Sequence, residues 1–151
     1  MNALKSGTLI GIARRAAPRV PMETLTASAI DRQNGVQGDC RGKPSKRQVT
    51  LLSREAWESA CADVDADLPW TTRRANLLLE GFTFTAHDVG AHIHIGEVIL
   101  EITRETDPCH RMDAQHAGLT QALTPDWRGG VCSRVRQDGI IRIGDEVIVR
   151  R

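Results

Sequence analysis

The stretch AHIHIGEVILEIT, residues 91–103, has the pattern of two β-strands joined by a tight turn at Gly96-Glu97. Apolar and polar residues alternate on the second half, which is the period of a strand with one buried face. A second stretch, IRIGDEVIVR at residues 141–150, repeats the order strand, glycine, acid, strand, with its turn at Gly144-Asp145. The two stretches predict a mainly β fold, an antiparallel-rich barrel that uses the same kind of turn twice.

Most of the remaining sequence fits the same class. Strand patterns occur at residues 8–13, 25–30, 48–53, 73–81 and 130–150, the last with a type I′ hairpin signal at Asp138-Gly139. One segment, SREAWESACADV at residues 53–64, predicts the main helix, with Ser53 as its N-cap and Cys61 on its apolar face. The chain of 151 residues suits a single domain over residues 1–151.

Composition limits the class of partner and compartment. Aromatic residues make up 3% and the formal net charge is +1, which argues against a nucleic-acid binder built on stacking platforms or a basic surface. No apolar run approaches membrane-spanning length, and the N-terminal residues lack the pattern of a secretory signal. The four cysteines form no CxxC pair, which favours free thiols in a reducing cytoplasm. We therefore expect a cytoplasmic protein without membrane or nucleic-acid partners.

The segment ETDPCHRMDAQH, residues 105–116, is the best candidate for chemistry. Asp107 can cap a short helix and Pro108 suits its first position, which places Cys109 in the first helical turn. Unpaired N–H groups there, and Arg111 close by, favour a reactive thiolate. The alternative is an inert cysteine buried behind a turn.

A metal site is the less favoured interpretation of this region. Cys109, His110 and His116 match no common zinc spacing. His92 and His94 share one face of a strand and more often form a solvated surface than a metal site. Since no closed four-ligand set is visible, the sequence predicts that folding does not depend on zinc.

Several motifs, taken in order along the chain, resemble those of MOSC domains, which are named for the C-terminal domain of molybdenum-cofactor sulfurase. They are GVQGD at 35–39, RRANLLLEG at 73–81, IGEVILEI at 95–102, DPC at 107–109, RGGV at 128–131 and GIIRIGDEV at 139–147. The resemblance runs from about residue 7 to residue 149. It implies a barrel similar to the barrel domain of pyruvate kinase, together with a short helix after Cys109.

The resemblance also implies a function. Cys109 takes the place of the family cysteine, which carries sulfur as a persulfide or ligates molybdenum, and Asn76 takes that of the asparagine in the NL motif. The implied cofactor is the molybdenum cofactor, molybdopterin, serving sulfur transfer or redox chemistry. Its phosphate suits arginine, and the candidate contacts in or beside the matched motifs are Arg73, Arg74, Arg111 and Arg128, with Gly38 and Asp39 in a glycine-rich loop whose backbone N–H groups could hold an anion.

Two alternatives and two partners accompany this interpretation. The chain could be a stand-alone molybdenum reductase of N-hydroxylated compounds, although small reductases of that type have Gly-Glu-Asn-Leu where this chain has RANL at 74–77. It could also be a non-catalytic barrel that binds a partner protein. A pyridoxal-phosphate cysteine desulfurase is the expected sulfur donor and a molybdoenzyme the expected acceptor, while pyridoxal phosphate is not expected on this chain itself.

Overall fold

The structure is a computed structural model that describes residues 3–151, with side chains from Lys5 onward. Its described strands are, in chain order, β1 (Ala3–Arg14), β2 (Glu23–Leu25), β3 (Ala27–Asp31), β4 (Gly35–Val36), β5 (Val49–Ser53), β6 (Leu77–Glu80), β7 (His92–Ile95), β8 (Val98–Glu105), β9 (Val131–Gln137), β10 (Gly139–Arg142) and β11 (Glu146–Arg150). Three α-helices accompany them within the same residues: α1 (Arg54–Asp63), α2 (Arg111–Gln115) and α3 (Leu119–Leu123).

Seven strands form a closed barrel. Around the ring the order is β1, β11, β7, β8, β9, β5 and β6, and β6 pairs with β1 to complete it. All neighbouring pairs in the ring are antiparallel except β5 and β6, which run parallel and are connected through α1. The predicted mainly β, antiparallel-rich barrel with one main helix is therefore confirmed.

Two apolar clusters hold the fold together. The first fills the barrel with inward-facing residues of its strands, among them Leu9, Leu51, Ile93, Leu100 and Val147. The second packs α1, α2 and α3 against the outside of β5 and β6, and its buried members are Leu52, Trp57, Ala60, Cys61, Ala75, Leu78, Met112, Leu119, Ala122 and Leu123. The second cluster fixes the position of the segment around Cys109, since α2 and α3 follow that cysteine directly.

The main helix begins as the sequence predicts. Ser53 accepts a hydrogen bond from the N–H of Ala56 at 3.3 Å, and its own hydroxyl donates to the carbonyl of Phe82 at 2.8 Å. Cys61 lies on the buried face, as its position in the pattern indicated. The Gly96-Glu97 turn is also present and joins β7 and β8 as an antiparallel hairpin.

Three local predictions are wrong. Asp138-Gly139 does not make a hairpin, because β10 pairs with β3 in a separate three-stranded sheet with β4. The strand predicted over residues 73–81 begins only at Leu77, because Arg73 ends a 3₁₀ turn and Arg74 has a left-handed backbone with φ of 65°. The strand predicted over residues 25–30 is divided between β2 and β3.

No helix among the described residues is both long and apolar enough to cross a membrane.

Candidate functional site

Neighbouring strands of the barrel position the candidate site. Ile12 of β1 pairs with Leu77 of β6, which pairs with Leu51 of β5. Leu51 pairs with Val131 of β9, which in turn pairs with Glu105 of β8. The segments after β1 and before β5 and β6 therefore lie side by side, and Arg73 hydrogen-bonds to the carbonyls of Thr106 and Gly129, which brings the segments after β8 and before β9 next to them.

A cleft of about 450 Å³ opens where these segments meet. It is lined by Arg15, Arg19, Met22, Asp39, Arg41, Arg47, Thr50, Arg73, Arg74, Asn76, Cys109, Arg111, Met112, Ala114 and Gln115. Seven of these residues are arginines and one, Asp39, is a carboxylate. A chain with a formal net charge of +1 thus concentrates positive charge in one place, which is the electrostatic signature of an anion site.

The single carboxylate of the cleft is already engaged. Asp39 accepts hydrogen bonds from the backbone N–H groups of Arg15 at 3.1 Å and Arg41 at 3.2 Å. Gly38, directly before it, has φ of 84°, and a Cβ there would meet the Arg14 guanidinium at 3.0 Å. Gly38 and Asp39 therefore shape the loop that carries Arg41, and the arginine side chains remain the groups that face a ligand.

Arg73 is the most deeply placed arginine of the site. Its Nε donates to the carbonyl of Gly129 at 3.1 Å and its Nη2 to that of Thr106 at 2.8 Å. Burial, assisted by the nearby charge of Arg47, lowers the pKa of Arg73 to about 10. The guanidinium is still protonated at neutral pH, so the protein keeps a buried positive charge whose described hydrogen bonds go to neutral carbonyls.

Two further arginines show the same shortage of negative partners. Burial, followed by the charges of Arg74 and Arg41, lowers the pKa of Arg15. Arg47 has its Nε buried without a hydrogen-bond partner among the described residues. Arg47 also lines the cleft and adds its positive charge to it.

Cys109 is exposed and borders the cleft, four residues beyond the end of β8. Its carbonyl accepts from the N–H of Met112 at 2.9 Å and from the hydroxyl of Thr120 at 2.6 Å, so its backbone is held on both sides. Cys61 and Cys132 are buried, and Cys40 is half-buried. The alternative of a cysteine buried behind a turn at position 109 is therefore wrong as to its burial.

The predicted helix start at this cysteine is also wrong. The first residue of α2 is Arg111 and its N-cap is His110, so Cys109 precedes the helix and does not lie in its first turn. The helix has no side-chain cap, and the carboxyl group of Asp107 lies close to that of Glu105. Burial, followed by this neighbouring carboxyl, raises the pKa of Glu105. Positive charge near Cys109 thus comes from arginine side chains and not from helix N–H groups.

Asn76 lies in the floor of the cleft, with its amide engaged on both sides. Its Oδ1 accepts from the N–H of Thr50 at 3.0 Å, and its Nδ2 donates to the carbonyl of Ala13 at 3.2 Å. The side chain therefore connects β5 and the end of β1 across β6. In this position Asn76 holds the strands that carry the site, and its amide is not free for a ligand.

Arg128 lies outside the cleft. Its Nη1 forms an ion pair with Asp63 at 2.5 Å and donates to the carbonyl of Ala122 at 3.0 Å. These contacts attach the segment after α3 to the end of α1. Of the residues predicted from the sequence, the structure thus brings Cys109, Arg73, Arg74, Asn76, Arg111 and Asp39 together around one cleft, with Gly38 supporting its loop.

Four arginines of the cleft were not among the predicted site residues: Arg15, Arg19, Arg41 and Arg47. They come from two segments, the basic connection after β1 and the glycine-rich loop before β5. The available signal was the density of basic residues in these two loops.

No three His, Cys, Asp or Glu side chains lie close enough to hold a metal ion in the part of the chain that the structure describes. His92 and His94 are on β7, opposite Glu101 and Ile99 of β8. Burial, with the charges of Arg150 and His92, lowers the pKa of His94. The two histidines belong to the barrel wall.

Comparison with known proteins agrees with this architecture. A family model described as the MOSC domain matches residues 33–148. The crystal structure of the YuaD protein from Bacillus subtilis superposes with a TM-score of 0.80 at 17% identity, covering 95% of each chain. YiiM from Escherichia coli gives 0.73 at 13% identity, covering 95% of this chain and 70% of that one. YiiM from Geobacillus stearothermophilus superposes with a TM-score of 0.68 at 17% identity, covering 96% of this chain and 73% of that one. No curated protein matches the sequence.

Proposed function

Because the chain belongs to the MOSC domain family, whose members are associated with the molybdenum cofactor, we propose that the arginine-lined cleft binds that cofactor with Cys109 at its metal end. One observation carries the proposal. The exposed thiol of Cys109 opens on a cleft with seven arginines and one carboxylate in its lining.

The residues present fit an anionic, metal-bearing group. Arginine binds phosphate bidentately, and seven arginines line the cleft. A thiolate is a soft ligand of the kind that soft transition-metal centres favour. Arg73 is fixed by two carbonyls, so it offers its charge to a ligand without losing side-chain freedom on binding.

The protein's own contribution is to bind and orient. When bound, the cofactor supplies two-electron redox chemistry at molybdenum. Cys109 holds the metal end through sulfur, and its backbone is fixed by Met112 and Thr120. The arginines of the cleft neutralise the phosphate, and Asn76 holds the strands that present them. Reduction of N-hydroxylated compounds is one reaction that such a site could support.

Sulfur transfer is the second candidate function, and the exposure of Cys109 is the observation that favours it. An exposed thiolate can accept sulfur from a pyridoxal-phosphate cysteine desulfurase and pass it to a molybdoenzyme. In that role Cys109 would carry a persulfide, and the arginines would attract an anionic acceptor.

Metal and sulfur analysis of the purified protein separates the two functions. The chain would be produced in a host that makes the molybdenum cofactor, and molybdenum and oxidised pterin would be measured per chain. We expect near-stoichiometric molybdenum in the wild type, loss of it in Cys109→Ser, and retention in the matched control Cys40→Ser. Protein-bound persulfide without molybdenum would instead establish the sulfur carrier. Neither group on the wild-type protein would contradict both functions and favour a non-catalytic barrel.

A further inference from the structure

A second cavity lies outside the arginine-lined cleft and shares no lining residue with it. Its volume is about 630 Å³, which is within the range of small-molecule sites. Three segments form its walls: helix α1, the loop that follows β6, and the loop that precedes β9. The lining residues that decide its chemistry are Glu55, Phe84, Asp126, Trp127 and Arg128.

The walls of this cavity are fixed by contacts within the protein. In the loop after β6, the carbonyl of Thr83 accepts a hydrogen bond from Nζ of Lys5 at 2.7 Å, and the N–H of Thr85 donates to the carboxylate of Asp88 at 2.8 Å. The loop before β9 is attached to α1 through the ion pair of Arg128 described above. A ligand would therefore enter a cavity that is already formed, without the cost of ordering its walls.

Two aromatic rings give the cavity an apolar surface. Trp127 is half-buried, packs against the apolar cluster of the barrel and lines the cavity. Phe84 is buried and also lines it, with its ring held edge-to-face against Phe82 at a centroid distance of 5.4 Å. The chain has only three tryptophans and two phenylalanines, so the presence of two of these residues in one cavity is a concentrated apolar surface.

The charge of this cavity is opposite to that of the cleft. Glu55 and Asp126 are its carboxylates, and its one basic residue, Arg128, is already paired with Asp63. Glu55 uses its Oε2 to accept from the N–H of Gly81 at 2.7 Å. The carboxylate of Asp126 takes part in no hydrogen bond or ion pair with the residues that the structure describes. The cavity therefore offers negative charge to a ligand.

The backbone of the loop before β9 places the acid and the indole together. Asp126 and Trp127 are consecutive, and each has a left-handed conformation with φ of 57°. This conformation is unfavourable for L-residues and particularly for a bulky one such as tryptophan. Backbone strain of this kind is concentrated at ligand sites, where the surrounding structure maintains it. Here its result is that a free carboxylate and an aromatic ring line the same cavity.

We propose that this cavity binds a small organic cation, in which an amine, amidine or guanidine group is attached to a flat apolar body. The carboxylates of Asp126 and Glu55 bind the cationic group through charge-assisted hydrogen bonds. The rings of Trp127 and Phe84 contact the apolar body, and an aromatic face also attracts a cation. The inference does not depend on the molybdenum cofactor or on Cys109, and it adds a cation site to a chain whose other cleft favours anions.

Titration with benzamidine tests the proposal, because benzamide is a neutral compound of nearly the same shape. Chemical shifts of the backbone amides and of the assigned indole N–H of Trp127 would be followed by NMR. We expect benzamidine to bind once per chain with a Kd on the order of 1 mM, an ordinary affinity for a ligand of this size. The largest shifts should lie at Trp127 and at the residues around it. Benzamide should bind about tenfold more weakly, since it lacks the charge.

Asp126→Asn removes the free carboxylate and keeps its shape, and asparagine tolerates a left-handed backbone well. We expect it to weaken benzamidine by about tenfold and to leave benzamide nearly unchanged. Asp65→Asn is the matched control, because Asp65 is also exposed, has φ of 53° and does not line the cavity. The control should bind benzamidine as the wild type does. Melting curves of both variants show that each is folded.

Three results would overturn the inference. The first is an indole signal of Trp127 that does not move at benzamidine concentrations well above 1 mM, or larger shifts elsewhere on the protein. The second is equal affinity for benzamidine and benzamide, which would show an apolar cavity without selection for charge. The third is an equal loss in Asp126→Asn and Asp65→Asn, which would show attraction to the overall charge of the protein and no contact with Asp126. None of these measurements involves molybdenum, so their failure is distinct from failure of the proposed function.

Discussion

Cys109 differs from the buried thiols Cys61 and Cys132 in its access to solvent. We expect iodoacetamide to modify Cys109 rapidly in the native protein, and Cys61 and Cys132 only as the protein unfolds. Burial also raises the pKa of Cys61, which slows its reaction further at neutral pH. Mass-spectrometric mapping of labelling against time and pH measures this order. Labelling of Cys61 as fast as Cys109 would contradict the site assignment.

Arg74 adopts a backbone conformation that L-residues rarely take, with φ of 65° and ψ of 29°. Replacing it by glycine removes the steric cost of Cβ, whereas replacing it by alanine keeps that cost, and both changes remove the charge. We therefore expect Arg74→Gly to be more stable than Arg74→Ala by about 1 kcal/mol. Denaturant unfolding of the two variants gives the difference. Phosphate affinity should fall equally in both, and a glycine variant less stable than the alanine one would show that Arg74 is not strained.

Glu105 has a pKa raised by burial and by Asp107, so its ionisation destabilises the folded state relative to the unfolded one. The carboxyl group therefore contributes stability when it is protonated, which is fully so at pH below its ordinary pKa of 4.5. This contribution is lost as the pH rises through the higher pKa of the folded state. Glu105→Gln should consequently increase the free energy of unfolding at pH 7 and lose that advantage near pH 4. Glu97→Gln, at the exposed β7–β8 turn, is the matched control and should leave the free energy of unfolding unchanged at both pH values.

At the scale of elements, the stability of α1 depends on the hydrogen bonds of its N-cap residue, Ser53. Ser53→Ala removes the acceptor for the Ala56 N–H and the donor to the Phe82 carbonyl. Loss of an N-cap costs about 1 kcal/mol, and the second bond adds to it, so we expect a loss of about 1–2 kcal/mol in unfolding free energy. Ser59→Ala, exposed on the same helix, should be neutral or slightly stabilising. Equal effects of the two changes would contradict the capping role.

Elements defined by local patterns could be predicted, and elements defined by distant partners could not. The cap at Ser53 and the turn at Gly96 depend on neighbouring residues, and both are present. Asp138-Gly139 gives an equally local turn signal, but β10 pairs with β3, where Ile140 lies opposite Ala29. That choice depends on the closure of the barrel, which no short window of sequence records.

The residues of the candidate site divide in the same way: those within local motifs could be predicted, and those placed by distant contacts could not. Cys109, Arg73 and Arg74 lie within sequence motifs, and all three line the cleft. Arg15 and Arg47 lie in loops without a motif and reach the cleft only because β1 ends and β5 begins beside the start of β6. Arg128 was predicted to contact a cofactor, but it forms an ion pair with Asp63, a contact that depends on how α3 packs against α1.

At the scale of the whole molecule, stability comes from the barrel interior and from the helices packed outside it. Neither cluster depends on a bound ion for its contacts. We therefore expect the thermal midpoint to remain unchanged when a strong chelator of zinc is added, as measured by calorimetry or circular dichroism. A fall of several degrees in the thermal midpoint would show that a metal site supports the fold, with His92 and His94 as candidate ligands.

The pairing of β1 with β11 closes the ring with the two strands that are farthest apart in the chain. Of these strands, β1 is made first on the ribosome and β11 last. The edge of β1 that pairs with β11 therefore remains unpaired while the strands between them are made. An unpaired strand edge is a template for association with foreign chains. The edge of β1 is therefore a point of vulnerability to aggregation until β11 has been made and paired with it.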